Sequence, residues 1–398
     1  MAHQVHKRPV IYLIGTAGHP NYGDELITAG WLRHLARTAP DAEVWLDTPR
    51  PGQSAVLLDG LHPGLRCVDT LYHACWNAPL TSAAETLAFG EQVISEPGLI
   101  PREATGVENL SRVDLVHIVG GGYLNRFWPG NLALIGAALG MSAKYGTRSA
   151  LTGIGLVPLV EGSREPLAAS LAQFDVVDVR DQPSHEAVAE AVPHTTMTGD
   201  DSFLSLGSRT PGSSSMRGNP TFGDEGAVPT MLCVQSDMLE TSLEQLGDYV
   251  VRTLRSWGAE QGPVTLVECN PPGDADVVAL LRPHLPRLSV LPFSHLWRSG
   301  FPARPAQRWI STRFHPHLVA AAAGAWGVAI PVSSDYYRTK HDALIQLSSG
   351  WSLAPDLDAP VPLAEPPGVR FGGHLPELVA TKRSVADRVA MLARSRRA

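Results

Sequence analysis

The sequence predicts an α/β protein of two domains that face each other across a cleft. Short apolar segments alternate along the chain with longer segments of helical periodicity, which is typical of parallel sheets with helices on both faces. This alternation is interrupted once, by a segment rich in Gly, Ser and Pro, and resumes after it. With 398 residues, the chain also exceeds the size that one hydrophobic core usually supports. Two Rossmann-like domains, one on each side of the interruption, are therefore expected.

The first domain is expected over residues 1–206. Its strands are predicted where short apolar runs are bounded by polar or glycine-containing segments, at residues 10–14, 42–46, 113–119, 149–156 and 174–179. Its helices are predicted from longer amphipathic or small-residue segments, at residues 25–37, 132–145 and 184–191. Right-handed crossovers between parallel strands place the loops that follow the strands along one edge of the sheet, where ligands bind.

Residues 207–228 contain few large apolar side chains and show no periodicity, so they are predicted to form a linker or a long surface loop. The second domain is expected over residues 229–398. Its predicted strands lie at residues 230–234, 264–268, 288–291, 309–311 and 327–331, and its predicted helices at 242–257, 276–285 and 315–323. A proline-rich tail from residue 351 leads to a last helix at 376–394, which could pack back across both domains.

The composition excludes several classes of protein. Apolar residues make up 44% and charged residues 18%, which is the composition of a globular protein and not of a disordered or fibrous one. The net charge of −7 argues against a general binder of nucleic acid or of anionic membranes. No apolar run is long enough for a transmembrane segment, and the four cysteines form no CxxC pair. These features together predict a cytoplasmic enzyme with free thiols.

The loop after the first strand is the first candidate site. It runs from Gly15 to the helix predicted at 25–37, and its glycines allow the backbone to approach a ligand closely. The first N–H groups of the following helix favour an anion, although the loop matches neither GxGxxG nor a Walker A motif. Asn21 and Asp24 are both suitable helix caps, and Gly23 lies between them. Asp24 therefore either caps the helix or accepts a proton from a hydroxyl group.

Two further motifs follow strands of the first domain. Gly120, Gly121 and Gly122 come directly after the strand at 113–119, where they form either a tight turn or a backbone that faces a ligand. Arg180 ends another strand, and an arginine there either binds a phosphate or carboxylate or forms a salt bridge with a neighbouring acid.

The second domain carries its polar residues at a strand-to-helix junction. Arg313 and His315 stand there together, which suits an anion clamp. His315 and His317 are two residues apart, so their side chains diverge on a helix, and no third ligand lies nearby; a metal site is not expected. Arg338 and Lys340 follow the next strand, where they either add cations to the same edge or belong to a solvated loop.

Taken in order, five segments resemble the polysaccharide pyruvyl transferase family: GHPNYGDEL, VGGGYL, VRDQPS, TGDD and RFHPHLVAAAAG, spread across about residues 10–345. The resemblance implies a two-domain fold like that of GT-B glycosyltransferases, phosphoenolpyruvate as donor, and a saccharide or glycoconjugate as acceptor. The product it implies is a pyruvate ketal, in the biosynthesis of cell-surface glycans. By the family pattern, Arg180, Arg313 and His315 would bind phosphoenolpyruvate, and the loop at 21–24 would line the cleft. Phe314 stands where the family often has leucine.

The chemistry that the resemblance implies agrees with the residue types. Ketal formation needs protonation of C3 of phosphoenolpyruvate, attack of a hydroxyl at C2, loss of phosphate and closure by a second hydroxyl. His315 is the expected proton donor, with Asp24 and Asp201 as the next candidates. Arginines neutralise the phosphate charge, so the reaction requires no metal or cofactor.

A GT-B-type glycosyltransferase that uses a nucleotide sugar is the main alternative, because it shares the architecture and the anion site at a helix terminus. Such an enzyme is expected to hold the donor ribose with a carboxylate, and the chain offers none between Arg313 and Asp335. A non-catalytic anion-binding or scaffold protein is a third alternative. A homo-oligomer is compatible with each of these hypotheses.

Overall fold

The computed structural model describes residues 8–207, 222–363 and 371–394, so most of the linker predicted at 207–228 lies outside the described residues. The chain divides into two compact units. Of the described residues, unit 1 comprises 8–19, 27–205 and 380–394. Unit 2 comprises 20–26, 206–207, 222–363 and 371–379.

Unit 1 is built on a seven-stranded parallel sheet. Its strands are β1 (Val10–Ile14), β2 (Glu43–Asp47), β3 (Leu65–Val68), β4 (Leu115–Ile118), β5 (Arg148–Ile154), β6 (Val176–Val179) and β7 (Thr196–Met197). They are arranged in the order β3-β2-β1-β4-β5-β6-β7, so the winding reverses between β1 and β4. All residues of β1 and β4 are buried, as expected for strands that are covered by helices on both faces.

The helices of this part of the chain connect consecutive parallel strands, except for the last one, which follows β7. They are α1 (Tyr22–Thr38), α2 (Pro51–Leu57), α3 (Thr70–Asn77), α4 (Ala83–Ser95), α5 (Ala104–Asn109), α6 (Leu132–Tyr145), α7 (Arg164–Leu171), α8 (Gln182–Val188) and α9 (Phe203–Leu206). Helix α1 belongs to unit 2 through residue 26 and to unit 1 from residue 27.

Unit 2 is built on a six-stranded parallel sheet in the order β10-β9-β8-β11-β12-β13. Its strands are β8 (Thr230–Cys233), β9 (Val264–Val267), β10 (Leu288–Leu291), β11 (Arg308–Ser311), β12 (Trp326–Ala329) and β13 (Ser352–Leu353). Its helices are α10 (Leu243–Ser256), α11 (Pro271–Leu281), α12 (Phe293–Ser299), α13 (Phe314–Ala322), α14 (Tyr337–Gln346) and the first part of α15 (Phe371–Leu392). The strand order again reverses once, between β8 and β11, which is the doubly wound arrangement.

Each predicted strand and helix corresponds to an observed element, and α6 has the predicted bounds. Helix α1 begins three residues earlier than predicted, because Asn21 and not Asp24 precedes its first turn. No element was predicted from the sequence for β3, β7 or β13, for the helices at residues 51–109, or for α7, α9, α12 and α14. Strand β3 is only partly buried, so it lacks the continuous apolar run by which the central strands are recognised.

Helix α15 departs from the predicted domain boundary, because it belongs to unit 1 from residue 380 onward. Lys382 on this helix is fully buried, and its ammonium lies 2.7 Å from Asp178 Oδ2 and 3.0 Å from Asp201 Oδ1. Such a buried ion pair joins the end of the chain to the first sheet, and no sequence periodicity reveals it. Among the described helices, none combines the length and the hydropathy that crossing a bilayer requires.

A buried carboxyl group in unit 1 carries the first testable prediction. Asp47 at the end of β2 accepts hydrogen bonds from the hydroxyl of Tyr12 at 2.5 Å and from the amide of Leu71 at 2.6 Å. Burial raises the pKa of Asp47 to about 7, although these hydrogen bonds oppose the shift. The unfolded chain loses this proton near pH 4, so the contribution of Asp47 to stability falls as the pH rises from about 4 to about 7.

The variant Tyr12→Phe is expected to lose about 1.5–3 kcal/mol of unfolding free energy at pH 8.5 and about 1 kcal/mol at pH 5. The loss is larger at pH 8.5 because the hydroxyl then donates to an ionised carboxylate. Urea denaturation at the two pH values measures the difference. Tyr123→Phe is the control, because the hydroxyl of Tyr123 donates to the carbonyl groups of Ile14 and Val119, which do not titrate. Equal losses for Tyr12→Phe at both pH values would contradict the assignment.

Candidate functional site

The carboxyl edge of the sheet in unit 2 holds the residues of the candidate site. Strands β8 and β11 are neighbours there, at the point where the strand order reverses, and this is where doubly wound folds bind ligands. Gln235 follows β8 and Thr312 follows β11, and the amide of Gln235 donates to Thr312 Oγ1 at 3.0 Å. The next residue along the chain is Arg313.

Arg313 is held in place by two carboxylates. It is the N-cap residue of α13, and its side chain is almost fully buried. Its Nη2 donates to Asp274 Oδ1 at 2.6 Å and to Asp237 Oδ1 at 3.1 Å, and its Nε donates to Asp274 at 3.0 Å. Burial alone would lower the pKa of Arg313, but Asp274, the Tyr337 phenol and Asp237 together raise it above its usual value. The guanidinium therefore stays charged and fixed in orientation.

Asp274 is itself fixed by the backbone. Its Oδ2 accepts hydrogen bonds from the amides of Cys269 and Asn270, both at 2.8 Å, so the carboxylate closes the loop between β9 and α11. Burial raises the pKa of Asp274, while Arg313 and the two amides oppose the shift. Among the described residues, Arg313 donates from Nε and Nη2 and no hydrogen bond is recorded from Nη1.

The start of α1 lies against His315. Gly23 packs so closely on the imidazole ring that a Cβ atom there would overlap Nδ1 and lie 2.5 Å from Cγ. Tyr22 anchors this turn, since its amide donates to the Cys269 carbonyl at 2.8 Å and its ring lies 5.1 Å from that of Phe301. The structure thus brings together two motifs that are almost 300 residues apart in the sequence.

Asn21 and Asp24 have different positions in this turn. Asn21 Oδ1 accepts a hydrogen bond from the Gly23 amide at 3.2 Å, so Asn21 is the residue that caps α1. Asp24 lies within the first helical turn and is partly buried. The capping alternative that the sequence left open for Asp24 is therefore taken by Asn21.

The other predicted residues of unit 2 are Phe314, Arg338 and Lys340. Phe314 is buried in the first turn of α13. Arg338 donates to the Pro355 carbonyl at 3.0 Å and lines a cavity of about 600 Å³, together with side chains that include Glu240 and Asp356. The ammonium of Lys340 lies 3.3 Å from the centre of the Tyr336 ring, a cation–π contact.

The glycine run of unit 1 packs against Asp201. A Cβ atom on Gly120 would come within 2.9 Å of the Asp201 side chain, and Gly121 has a φ of 149°, so two of the three glycines are required by local geometry. Asp201 is fully buried, and its Oδ2 accepts hydrogen bonds from Gly120 N at 2.9 Å, Trp31 Nε1 at 2.7 Å and Thr152 Oγ1 at 2.7 Å. These contacts give Asp201 a structural task in addition to its predicted role as a catalytic candidate.

Arg180 in unit 1 is buried and ion-paired. Its Nε lies 3.3 Å from Asp181 Oδ2, and its Nη1 lies 3.6 Å from Asp200 Oδ2. The salt bridge that the sequence offered as the alternative is thus present.

Sequence reasoning missed the residues that orient Arg313: Asp237 and Asp274. Asp274 had a local signal, because it follows Asn-Pro-Pro-Gly, and proline with an acidic residue in the first turn is typical of a helix start. Its pairing with residue 313 depends on the sheet order, which no local signal gives. Among the described residues, no group of three or more His, Cys, Asp or Glu side chains lies close enough together to hold a metal ion.

Comparisons with known proteins give a family and a fold. The family model described as polysaccharide pyruvyl transferase matches residues 21–252, which is more than half of the chain. No curated protein sequence matches the chain. A putative UDP-N-acetylglucosamine 2-epimerase from Listeria monocytogenes is similar in structure, with 12% identity, a TM-score of 0.52, and coverage of 98% of this chain and 92% of that one.

Os79 from O. sativa in complex with UDP is also similar, with 15% identity, a TM-score of 0.49, and coverage of 98% and 95% of the two chains. At these identities, similarity to a solved structure concerns the fold alone. The comparison with the epimerase confirms the expected GT-B-like α/β class with two Rossmann-like domains.

Proposed function

Because the chain belongs to the polysaccharide pyruvyl transferase family, we propose that it transfers the pyruvyl group of phosphoenolpyruvate to two hydroxyls of a saccharide. The product is a pyruvate ketal, and inorganic phosphate is released. The observation that carries this proposal is the turn at the carboxyl end of β11, where a fixed guanidinium and an imidazole stand next to each other against the start of α1. A donor with a phosphate and a carboxylate needs such fixed cationic groups.

Arg313 and the first turn of α13 form the proposed anion site. The Nη1 group of Arg313 donates to the phosphate or the carboxylate of the donor, while Asp237 and Asp274 keep the guanidinium in place. Helix α13 has no side-chain cap at its N-terminus, and the partial positive charge of its first turn adds to the attraction. Arg180, Arg338, Lys340, Phe314 and the glycines at 120–122 stay predictions for donor or acceptor binding.

His315 is the proposed general acid, and Asp24 the proposed base. His315 donates a proton to C3 of phosphoenolpyruvate, and the resulting cationic C2 accepts the oxygen of the first hydroxyl. The C2–O bond to phosphate then breaks, and the second hydroxyl closes the ketal. The two hydroxyls release two protons, of which one replaces the proton given to C3 and the other leaves with phosphate. Asp24 stands one residue after Gly23, which touches His315, and accepts a hydroxyl proton in this scheme.

The test compares the wild-type chain with His315→Gln, using phosphoenolpyruvate and a panel of saccharides. Phosphate release that requires a saccharide, together with loss of the vinyl protons of phosphoenolpyruvate in NMR spectra, is the expected wild-type result. His315→Gln retains hydrogen-bonding capacity but has no titratable proton, so kcat should fall by about 10²-fold while KM for phosphoenolpyruvate changes by several-fold at most.

His295→Gln is the matched control, because His295 is an exposed histidine of unit 2 that pairs with Glu225 at 2.7 Å. It should have the wild-type kcat. Release of nucleotide from UDP-sugars, without turnover of phosphoenolpyruvate, would replace the proposal by the glycosyltransferase alternative. A wild-type kcat for His315→Gln across pH 6–9 would assign the proton transfer to another residue, with Asp24 as the next candidate.

A further inference from the structure

A chain of buried polar side chains lies behind the Arg313 turn. His317 on α13 and His341 on α14 are both fully buried, and their Nδ1 atoms are 3.0 Å apart. His317 Nε2 lies 2.9 Å from Ser349 Oγ, and His341 Nε2 lies 3.2 Å from the carbonyl oxygen of Thr312. The chain thus runs Ser349, His317, His341, Thr312, and it ends one residue before Arg313.

When both imidazoles are neutral, the contact with the Thr312 carbonyl determines which atom donates each hydrogen bond of this chain. A carbonyl oxygen only accepts, so His341 Nε2 carries a hydrogen and His341 Nδ1 is an acceptor. His317 Nδ1 must then donate to it, which leaves His317 Nε2 as an acceptor for the hydroxyl hydrogen of Ser349. Each neutral imidazole then has a single tautomer that satisfies all of its contacts.

The surroundings of the two rings favour these neutral forms. Burial lowers the pKa of His317 far below its usual value and that of His341 to about 4. The ring of Trp351 stacks on that of His317 with 4.3 Å between the ring centres, which excludes water from this side. The hydrogen bonds that link Ser349, His317, His341 and Thr312 therefore form between uncharged groups throughout the neutral pH range.

The peptide bond between Thr312 and Arg313 is held at both ends. Its oxygen accepts from His341 Nε2, and its N–H group donates to Ser311 Oγ at 3.2 Å. A planar peptide that is fixed at its oxygen and at its nitrogen has one orientation. This orientation sets the direction in which the backbone enters α13. Arg313 and His315 are the first residues whose position depends on it.

We propose that Ser349, His317 and His341 are positioning residues that fix the Thr312–Arg313 peptide and so set the placement of Arg313 and His315. The catalytic consequence rests on the proposed function, whereas the effect on the turn does not. None of the three residues needs to touch the donor. They act through the carbonyl group of Thr312.

Two substitutions of His341 test its two hydrogen bonds one at a time, the bond from Nε2 to the Thr312 carbonyl and the bond between Nδ1 and His317. His341→Gln can keep the donor to the Thr312 carbonyl, because its amide nitrogen can occupy the position of Nε2, and it loses the acceptor for His317. His341→Asn does the reverse, since its amide oxygen can replace Nδ1 and nothing reaches the carbonyl. Both variants remove one hydrogen bond of the buried chain, so a merely structural role would affect them alike.

The proposal expects hydrogen exchange at residues 311–315 to rise by about 10-fold or more in His341→Asn and by less than about 3-fold in His341→Gln. In the transfer assay, kcat should fall by about 10-fold or more in His341→Asn, and His341→Gln should retain most of the activity. Exchange or kinetics that are the same in both variants would overturn the proposal.

The wild-type chain supplies a measurement that depends on no variant. Selective ¹⁵N labelling of histidine should show His317 protonated at Nδ1 and His341 protonated at Nε2 near pH 7. The opposite tautomer at either residue would overturn the proposal. A wild-type chain that fails to turn over phosphoenolpyruvate would refute the proposed function, and the exchange and tautomer measurements would still decide the positioning role.

Discussion

Alanine in place of Gly23 is expected to lower the kcat of pyruvyl transfer by about 10³-fold. The added Cβ atom would overlap Nδ1 of His315 and lie 2.5 Å from Cγ and Cε1, so the whole ring and not only its tip must move. The alternative is a shift of the first turn of α1, which Tyr22 anchors through the Cys269 carbonyl. Either movement separates the proposed acid from the residues beside it. Steady-state kinetics with phosphoenolpyruvate and an accepted saccharide measure the effect.

Gly52→Ala is the matched control for this prediction. Gly52 is also the second residue of its helix, α2, and a Cβ atom there has no neighbour within 4 Å. We expect Gly52→Ala to keep the wild-type kcat and to be as stable as the parent or slightly more so.

A double-mutant cycle distinguishes steric displacement from other causes. Gly23→Ala should cost about 1–3 kcal/mol of unfolding free energy in the parent and much less in a His315→Ala background, where the ring is absent. The same cost in both backgrounds, or a Gly23→Ala variant with the parental kcat, would show that the close approach has no consequence.

The fold class and the central elements followed from sequence because they depend on local patterns. Strand β1 is a continuous apolar run, β4 is apolar except for one histidine, and α6 is a small-residue segment with a glycine after it, so composition alone marks their positions. Strand β3 at the sheet edge and the short helix α5 lack such patterns, because each is partly exposed. Their formation depends on packing against the rest of unit 1.

The candidate site was predictable in its residue types but not in its pairings. Arg313 and His315 stand out in sequence because charged residues directly after a buried strand need a reason. Their partners lie in the first turn of α11 (Asp274) and at the start of α1 (Gly23), and they meet only once the strand order brings the carboxyl ends together. Spacing along the chain carries no information about such contacts.

The ion pairs of Lys382 are also contacts that spacing along the chain does not reveal. Of the substitutions considered, the removal of this ammonium group is expected to reduce stability most. In Lys382→Met, the buried carboxylates of Asp178 and Asp201 lose the ammonium that lies 2.7 and 3.0 Å away. We expect unit 1 to lose about 3–5 kcal/mol of unfolding free energy at pH 8, because removing one partner leaves uncompensated charge in the interior. Hydrogen exchange at the amides of β6 measures this loss without depending on unit 2.

The charge of Lys382 is stabilised by the two carboxylates that it contacts. Burial alone would lower the pKa of Lys382, but Asp178 and Asp201 raise it, so the ammonium is charged across the accessible pH range.

Lys144→Met is the control for this final prediction, because Lys144 is exposed and its ammonium donates to the uncharged Ile94 carbonyl at 2.6 Å. It should cost about 1 kcal/mol or less, with no dependence on pH. If Lys382→Met costs no more than Lys144→Met, the two aspartates are stable in the interior without a cation. The hydrogen bonds that Asp178 accepts from Thr196 and Thr198, and Asp201 from Trp31, would then suffice, and α15 would need another reason to return to unit 1.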